Sequence, residues 1–333
     1  MPVEISPAVS VPEAISVAVN MPYSKPLGAL PKVALIAGPT ASGKSALALA
    51  IAAQHRGVVI NADSAQVYAD LRILTARPSA EEEASAPHRL FGHVDAADAS
   101  YSAARWATEA TQAIRDTLAE RRLPILVGGT GLYVRTLLDG IAPVPAIDPV
   151  LREHVRALPV AVAHAALAEL DPAAAARLAA ADTTRVARAL EVVRGTGRTL
   201  ADWQTEKVGG IGETLDVRAL ILIPDRNWLN ARIDQRFADM ADTSRAEITA
   251  LLARTDIPPD APIRRAIGVP EITALVRGEV SHADAVANGA LATRRYAKRQ
   301  YTWLRHQPPP DWPRTEALDL PTRLQQFETI LLR

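Results

Sequence analysis

A glycine-rich segment near residue 40 constrains the fold of this chain more than any other feature. An apolar, β-like run at residues 33–37 precedes it, and an Ala- and Leu-rich stretch at residues 46–51 follows it. The segment itself reads Gly38, Pro39, Thr40, Ala41, Ser42, Gly43, Lys44, Ser45. It fits the pattern G-x-x-x-x-G-K-[ST] in the strand-to-helix context that this pattern requires. The sequence therefore predicts a phosphate-binding loop in a parallel sheet; the alternative is an ordinary glycine-containing turn.

The chemistry of residues 38–45, the phosphate loop, is anion capture. Backbone N–H groups of such a loop point inward, and the following helix adds partial positive charge at its N-terminus. Lys44 supplies a mobile cation, and the Ser45 hydroxyl can ligate a magnesium ion that carries phosphates. We therefore predict that the loop binds a diphosphate or polyphosphate. Kinases, NTPases and some group transferases share the motif, so the loop does not specify the reaction.

A carboxylate follows the second predicted strand. Residues 58–60 form a buried apolar run that ends just before Asn61, Ala62 and Asp63. Ligands of parallel sheets bind at the carboxyl ends of strands, which places Asp63 beside the phosphate loop. Asp63 could hold magnesium, orient Lys44 or act as a general base, and the alternative is a helix N-cap.

A third strand-like run at residues 124–127 leads into Gly128, Gly129 and Thr130. An ATPase usually has a magnesium-directing aspartate at such a position, and here that acid is missing. The two glycines favour a backbone that a ligand approaches closely. The alternative is a flexible turn into a helix at residues 132–138.

The middle of the chain has a different character. Residues 146–213 are rich in Ala and broken by Pro and Gly, which predicts short helices. The strand-like run at residues 217–223 then returns the chain to the sheet. We expect an α/β core from residues 31–145 and 214–333 with a small inserted helical domain at 146–213. Residues 1–30 lack a helical or strand period and are predicted to be a disordered extension.

Basic residues alternate with aromatic ones near the C-terminus, between Thr293 and Arg305. Lys plus Arg and Asp plus Glu each number 37, so the overall charge of zero does not favour nucleic acid. The local pattern suits RNA, because cations bind phosphates and aromatic rings stack on unpaired bases. The alternative is a solvated basic face whose aromatic residues lie in the core.

These segments together resemble the tRNA dimethylallyltransferase family, also called tRNA isopentenyltransferases. The motifs are GPTASGKS, NADSAQVY, PILVGGTGLYVRTLLDG, TTRVARALEVVRGTGRTL, ARIDQRFADM, IRRAIGVPEI and ATRRYAKRQYTWLR, in this order. The resemblance implies a P-loop NTPase-like parallel sheet flanked by helices. It also implies transfer of a dimethylallyl group from dimethylallyl diphosphate to N6 of the adenosine just 3′ of the anticodon (position 37), with Mg²⁺ as cofactor and tRNA as partner.

The resemblance also assigns roles to residues. It implies catalytic roles for Asp63, Lys44, Thr130 and Arg236, diphosphate binding by residues 38–45, and magnesium binding by Ser45. For Arg236 the alternative is a surface ion pair with Asp239 or Asp242, and for Arg185 and Arg188 it is pairing with Asp182 or Glu191. The implied tRNA contacts are Asp63, Ser64, Ala65, Gln66, Thr130, Arg152, Thr184, Arg185, Val186, Ala187, Arg188, Arg265, Lys298, Arg299 and Arg305.

Two positions depart from the family pattern. Leu74 replaces a glycine that usually precedes Thr75, and Val269 replaces an aromatic residue. We expect a changed loop shape at Leu74 and changed RNA contacts at Val269.

Composition agrees with an intracellular enzyme. The chain has no cysteine, no apolar run of about 18 residues and no basic stretch before an apolar N-terminal segment, so we expect a cytoplasmic monomer with no membrane contact. Two other enzymes stay open, a prenyltransferase for free adenine nucleotides and a small-molecule kinase or NTPase. A non-enzymatic RNA-binding module is a further alternative that leaves the phosphate loop unexplained.

Overall fold

A six-stranded parallel sheet forms the centre of the molecule. The computed structural model describes residues 29–333, so the predicted extension at residues 1–30 lies almost wholly outside the described residues. The strands are β1 Lys32–Ala37, β2 Val58–Asn61, β3 His88–Arg89, β4 Pro124–Gly128, β5 Asp216–Leu222 and β6 Arg314–Thr315. Their order in the sheet is β3-β2-β4-β1-β5-β6. The predicted parallel α/β fold is confirmed.

The inner strands are continuous apolar runs because both faces of the sheet are covered. Leu35 of β1 pairs in register with Leu126 of β4 on one side and with Ala219 of β5 on the other. Alternate residues point to opposite faces, so Leu35 enters one apolar core and Ile36 the other.

Helices cover both faces. They are α1 Lys44–His55, α2 Ala80–Ser85, α3 Ala103–Ala119, α4 Gly131–Asp139, α5 Pro149–Ala157, α6 Val160–Leu170, α7 Pro172–Arg177, α8 Thr183–Thr196, α9 Leu200–Gln204, α10 Arg226–Thr243, α11 Arg245–Ala253, α12 Val269–Val276, α13 His282–His306 and α14 Leu320–Leu332. The core that contains Leu35 includes residues of α3, α4 and α10 to α13. The core that contains Ile36 includes Leu47 of α1 and Phe327 of α14, both fully buried.

The carboxyl ends of β1, β2 and β4 meet at one edge of the sheet, because the three strands are parallel neighbours. The backbone continues to pair beyond the strands. The Ala62 N–H donates to the Val127 carbonyl (2.8 Å), and the Thr130 N–H donates to the Ala62 carbonyl (3.3 Å). The phosphate loop, the residues around Asp63 and the loop around Thr130 are therefore neighbours.

Helices α5 to α8 share a small apolar core of their own, which includes Leu167 and Leu190. At the base of this segment, Ile141 and Val208 exchange two antiparallel backbone hydrogen bonds of 3.0 Å. Gly140 and Gly210 pack closely here, since a Cβ on either would meet backbone atoms at 2.5 or 2.6 Å. The two ends of the segment are thus tightly packed against each other. A separate domain over 146–213 stays a prediction.

We expect Leu167→Ala to lower the free energy of unfolding by about 2–5 kcal/mol, because Leu167 is fully buried and truncation leaves a cavity. Leu170→Ala on the same helix is the matched control. Its side chain is 47% exposed, so a change of at most about 0.5 kcal/mol is expected. Urea unfolding followed by circular dichroism measures both. Equal effects of the two substitutions would contradict the described core.

Candidate active site

The phosphate loop connects β1 to α1 with Gly43 as the N-cap of the helix. Gly43 has φ +90°, a left-handed conformation that favours glycine. The Lys44 ammonium reaches back across the loop and donates to the Pro39 carbonyl (2.8 Å). The loop thus has a backbone turn with a cation held across it, which is the arrangement of a phosphate-binding turn.

Burial lowers the pKa of Lys44 from 10.5 to about 8, the Asp63 carboxylate opposes that shift, and Arg236 adds to it. Two cations and one carboxylate therefore interact closely at the end of the sheet. Part of the Lys44 population is neutral at slightly basic pH until an anion binds.

Gln300 of α13 ties the phosphate loop to the loop after β4. Its side-chain oxygen accepts the Thr40 N–H (2.8 Å), and its amide nitrogen donates to the Gly129 carbonyl (3.1 Å). The side chain is buried, and its bond to the Gly129 carbonyl forms away from water. Residues 260 positions apart in sequence are thereby held in one arrangement.

Asp63 is oriented by its own backbone. One carboxylate oxygen accepts the Ala65 N–H (3.0 Å), and the Asp63 N–H donates to the Asn61 side-chain oxygen (2.8 Å). Asn61 is fully buried, and its carbonyl accepts the indole N–H of Trp106 (2.9 Å). The N-cap alternative for Asp63 is wrong, because turns follow this residue and the next helix begins at Ala80.

Thr130 faces the Asp63 segment. Its hydroxyl accepts the Ser64 N–H (3.0 Å) and lies 3.3 Å from the Ser64 hydroxyl.

The glycines beside Thr130 have a structural reason that we did not predict. A Cβ on Gly128 would meet the Ala62 carbonyl oxygen at 2.1 Å, and one on Gly129 would meet the Gln300 amide at 2.2 Å. Close packing of the chain itself is sufficient to require these glycines, and the close approach of a ligand stays a prediction.

Arg236 of α10 reaches the phosphate loop, where its guanidinium donates to the Thr40 hydroxyl (2.5 Å). Burial lowers the pKa of Arg236, and Arg232 lowers it further. The alternative of a surface ion pair is wrong, since Asp239 binds Gln235 and Asp242 lies beside Arg245 and His282.

A cavity of about 460 Å³ joins these groups. Of the residues predicted to form the site, the cavity is lined by Thr40, Asp63, Ser64, Ala65, Thr130, Arg236, Arg265 and Arg299. Apolar side chains of Leu74, Ile233, Phe237 and Met240 form part of the remaining wall. The cavity therefore offers charged and apolar surface to the same ligand.

Glu247 of α11 fixes the chain segment at the edge of the cavity. Its carboxylate accepts the N–H groups of three consecutive residues, Arg72 (2.9 Å), Ile73 (2.9 Å) and Leu74 (2.6 Å). The side chain of Gln66 donates to the carbonyls of Thr75 and Ala76, so this predicted tRNA contact is engaged within the protein.

The two departures from the family pattern have packing explanations. Leu74 is 6% exposed, and a Cβ on Gly268 would meet its Cδ1 at 2.7 Å. Val269 is 3% exposed and lies in the core, so its side chain is not available to RNA, in line with the changed contacts expected at this position.

The aromatic side chains of helix α13 lie in different environments. Tyr296 lines the cavity, and burial raises its pKa, as does the nearby Asp63 carboxylate. Tyr301 is buried, and Trp303 packs over Gly131, where a Cβ would meet the ring at 2.3 Å. Tyr301 therefore supports the protein core and is not free to stack on bases, whereas Trp303 is only half-buried. Lys298, Arg299 and Arg305 are exposed on the same helix.

The other predicted tRNA contacts lie on the helical segment. The carboxylate of Glu191, 1% exposed, has the guanidinium groups of Arg156 (2.8 Å), Arg188 (3.7 Å) and Arg152 (3.9 Å) around it. Arg185 lies 3.6 Å from Asp182. The pairings with acids considered for Arg185 and Arg188 are thus present, yet three arginines around one carboxylate leave an excess of positive charge.

Burial limits what the start of α8 can offer to RNA. Val186 is 0% and Ala187 8% exposed, so their side chains face the apolar core of this segment. We therefore exclude side-chain contacts of these two residues with RNA. Thr184 and Arg185 are exposed.

The oxygen donors at the loop fit magnesium. Ser45 lies in the first turn of α1 with its side chain exposed, and Asp63 lines the adjoining cavity. Within residues 29–333 no three His, Cys, Asp or Glu side chains form a metal-binding group. Mg²⁺ suits such a place, because it binds few protein oxygens and keeps waters and substrate phosphates as its other ligands.

The roles of several of these residues were not predicted from the sequence. Gln300, Asn61 and Glu247 are polar residues whose partners lie elsewhere in the chain, and the only signal was their place within or beside the quoted motifs.

None of the helices in residues 29–333 combines the length and the apolarity that a membrane span requires.

Comparisons with known proteins agree on one family. The family model described as "IPP transferase" matches residues 66–307. The tRNA dimethylallyltransferase of Sphingopyxis alaskensis is 62% identical over 284 residues, which cover 85% of this chain and 92% of the relative. That of Erythrobacter litoralis is 58% identical over 298 residues, which cover 88% and 93%.

Solved structures extend the likeness to the fold. The tRNA isopentenylpyrophosphate transferase of Bacillus halodurans is 30% identical with a TM-score of 0.64, covering 90% of this chain and 95% of its own. A eukaryotic dimethylallyltransferase acting on tRNA is 29% identical with a TM-score of 0.69, covering 82% and 70%. The chain therefore belongs to the IPP transferase family.

Proposed function

We propose that this protein transfers the dimethylallyl group of dimethylallyl diphosphate to N6 of the adenosine 3′-adjacent to the anticodon (position 37) of tRNA. One observation carries the proposal. Thr40 of the phosphate loop, Arg236, Asp63 and Thr130 line a single cavity whose remaining wall is partly apolar. An anionic leaving group, an apolar five-carbon chain and a base with an exchangeable proton each find a matching surface there.

Asp63 acts as the general base. The exocyclic amine of adenine is a weak nucleophile, because its lone pair is delocalised into the ring. A carboxylate that accepts its proton while the C–N bond forms lowers the barrier. Asp63 suits this role, since the Ala65 N–H and Asn61 fix its position at the cavity. Thr130, on the facing loop, positions the adenosine.

The diphosphate leaves as an anion, and negative charge grows on its bridging oxygen as the C–O bond breaks. The phosphate loop, Lys44 and Arg236 stabilise that charge, and they are in place before the reaction. Mg²⁺ held by Ser45 and by the diphosphate would supply further charge neutralisation. No covalent enzyme intermediate is needed, because the amine attacks the allylic carbon directly.

The tRNA is held by cations outside the reaction centre. Arg265 and Arg299 border the cavity, Lys298 and Arg305 are exposed on α13, and the arginines around Glu191 form a second basic area. A base must leave its stack to enter the cavity. These basic areas favour a polynucleotide over a free nucleotide as the acceptor, and a tRNA acceptor fits a cytoplasmic location.

The test is to incubate the protein with dimethylallyl diphosphate, Mg²⁺ and unmodified tRNA, and to digest the product for nucleoside mass spectrometry. We expect N6-dimethylallyladenosine at position 37, and none in a tRNA with guanosine there. Preferred transfer to AMP would instead support a nucleotide prenyltransferase. ATP turnover without prenyl transfer would support a kinase or NTPase.

Asp63→Asn should lower the single-turnover transfer rate by roughly 10²- to 10⁴-fold, because the amide keeps the shape but cannot accept the proton. Affinities for tRNA and for diphosphate should stay within a few-fold of wild type. Rapid-quench assays measure the transfer rate, and equilibrium binding measures the two affinities. Asp116→Asn, 52% exposed on α3, is the control. Rescue of Asp63→Asn by excess Mg²⁺ would argue for a metal-organising role instead.

Diphosphate affinity should fall as pH rises above about 8. Lys44 titrates near pH 8 in the free protein, and only its protonated form attracts the anion. Phosphate groups with a pKa near 6 are already ionised in this range, so the ligand adds little change. Calorimetric titration of dimethylallyl diphosphate, an ester without the late-titrating proton of inorganic diphosphate, from pH 7 to about 9.5 measures the effect, which is limited to about tenfold per pH unit. Lys44→Arg stays charged and should bind without this pH dependence. A flat wild-type profile would contradict the assignment.

A further inference from the structure

A buried arginine contacts the phosphate loop at Ser42 and Gly43. Arg323 of α14 is 3% exposed. Its Nη1 donates to the Ser42 carbonyl (2.8 Å), and its Nε donates to the Ala317 carbonyl (2.6 Å). A Cβ on Gly43 would meet the Arg323 Nη1 at 2.6 Å. The guanidinium therefore packs directly against the backbone at the N-terminus of α1.

The bond to Ser42 sets the direction of a loop amide. A trans peptide is planar, so the Ser42 carbonyl and the Gly43 N–H point in opposite directions. Because Arg323 holds the carbonyl toward itself, the Gly43 N–H points away from Arg323. Gly43 precedes Lys44, and N–H groups at a helix N-terminus are the donors that bind phosphate oxygens.

Arg323 also adds a positive charge that no ion pair neutralises. Among residues 29–333 it has no carboxylate within ion-pair distance, and its buried Nη2 has no hydrogen-bond partner. Burial lowers the pKa of Arg323, Arg232 lowers it further, and the Asp319 carboxylate opposes the shift without forming an ion pair. An anion at the phosphate loop would supply the missing charge.

We propose that Arg323 is a positioning residue for the diphosphate donor. It turns the Ser42–Gly43 peptide so that the Gly43 N–H faces the anion, and it adds a positive charge beside the loop. The proposal rests on the proposed function for the identity of the donor. It makes the C-terminal helix α14, which packs on α1 through Phe327, part of the donor site.

The test compares Arg323→Met and Arg323→Lys with wild type. The probe is inorganic diphosphate with Mg²⁺, titrated by calorimetry, and transfer assays at saturating tRNA give the donor KM and kcat. We expect Arg323→Met to weaken diphosphate binding and to raise the donor KM by about ten- to one-hundred-fold, the range for a lost hydrogen bond from a charged group. Affinity for tRNA should stay within twofold. Arg323→Lys keeps the charge but loses the planar fork, so a smaller loss is expected.

Two controls separate this role from general stability. Gln326→Met changes an exposed residue of the same helix and should leave diphosphate binding unchanged. Phe327→Leu loosens the packing of α14 without touching the loop. It should lower the melting temperature of the protein and leave diphosphate affinity within a few-fold of wild type.

The outcomes are decisive. A folded Arg323→Met that binds diphosphate like wild type, or that loses tRNA and diphosphate affinity equally, overturns the proposal. If Arg323→Met does not fold, unchanged affinity in folded Arg323→Lys overturns it, and a several-fold loss supports it. If wild type binds diphosphate but transfers no dimethylallyl group, the proposed function fails, while diphosphate binding still decides the role of Arg323.

Discussion

The two hydrogen bonds of the Gln300 carboxamide are the interaction on which the site depends. One end of the group holds the Thr40 N–H and the other holds the Gly129 carbonyl, so two loops that we propose bind different substrates share one anchor. Leaving either partner unpaired in this buried place would cost more than the bond itself contributes, which favours one arrangement of the loops. The distance between the phosphate loop and the loop around Thr130 is thereby set before any substrate binds.

The sheet makes that anchor possible. Parallel neighbours β1, β4 and β2 end at the same edge, and backbone bonds such as Thr130 N–H to Ala62 carbonyl extend their pairing into the loops. Helix α13 crosses this edge and supplies Tyr296 to the cavity, Gln300 to the loops and Trp303 to the surface of Gly131. A single helix therefore links the phosphate site to the basic surface proposed for tRNA.

Local sequence patterns predicted the parts of this architecture that local chemistry determines. The apolar runs of β1, β2, β4 and β5 and the glycine-rich loop were readable, because their periods and turn residues lie within a few positions. The two-residue strands β3 and β6 could not be predicted, because only their pairing with a longer neighbouring strand defines them. The role of Gln300 was equally hidden, and so was the reason for Gly128 and Gly129, because the atoms that decide them come from distant segments. The departure from the family pattern at Val269 was readable, but its cause, packing of the side chain in the core, was not.

The central claim is that donor and acceptor meet in one cavity and react in a single displacement, without a covalent enzyme intermediate. Its most direct test is the stereochemical course of transfer from dimethylallyl diphosphate made chiral at C1 with deuterium. Attack by the adenosine amine opposite the departing diphosphate predicts inversion at C1 in the modified nucleoside. Retention would require two displacements through an enzyme-bound intermediate, and loss of configuration would require a freely rotating allylic cation. Either result would contradict the account.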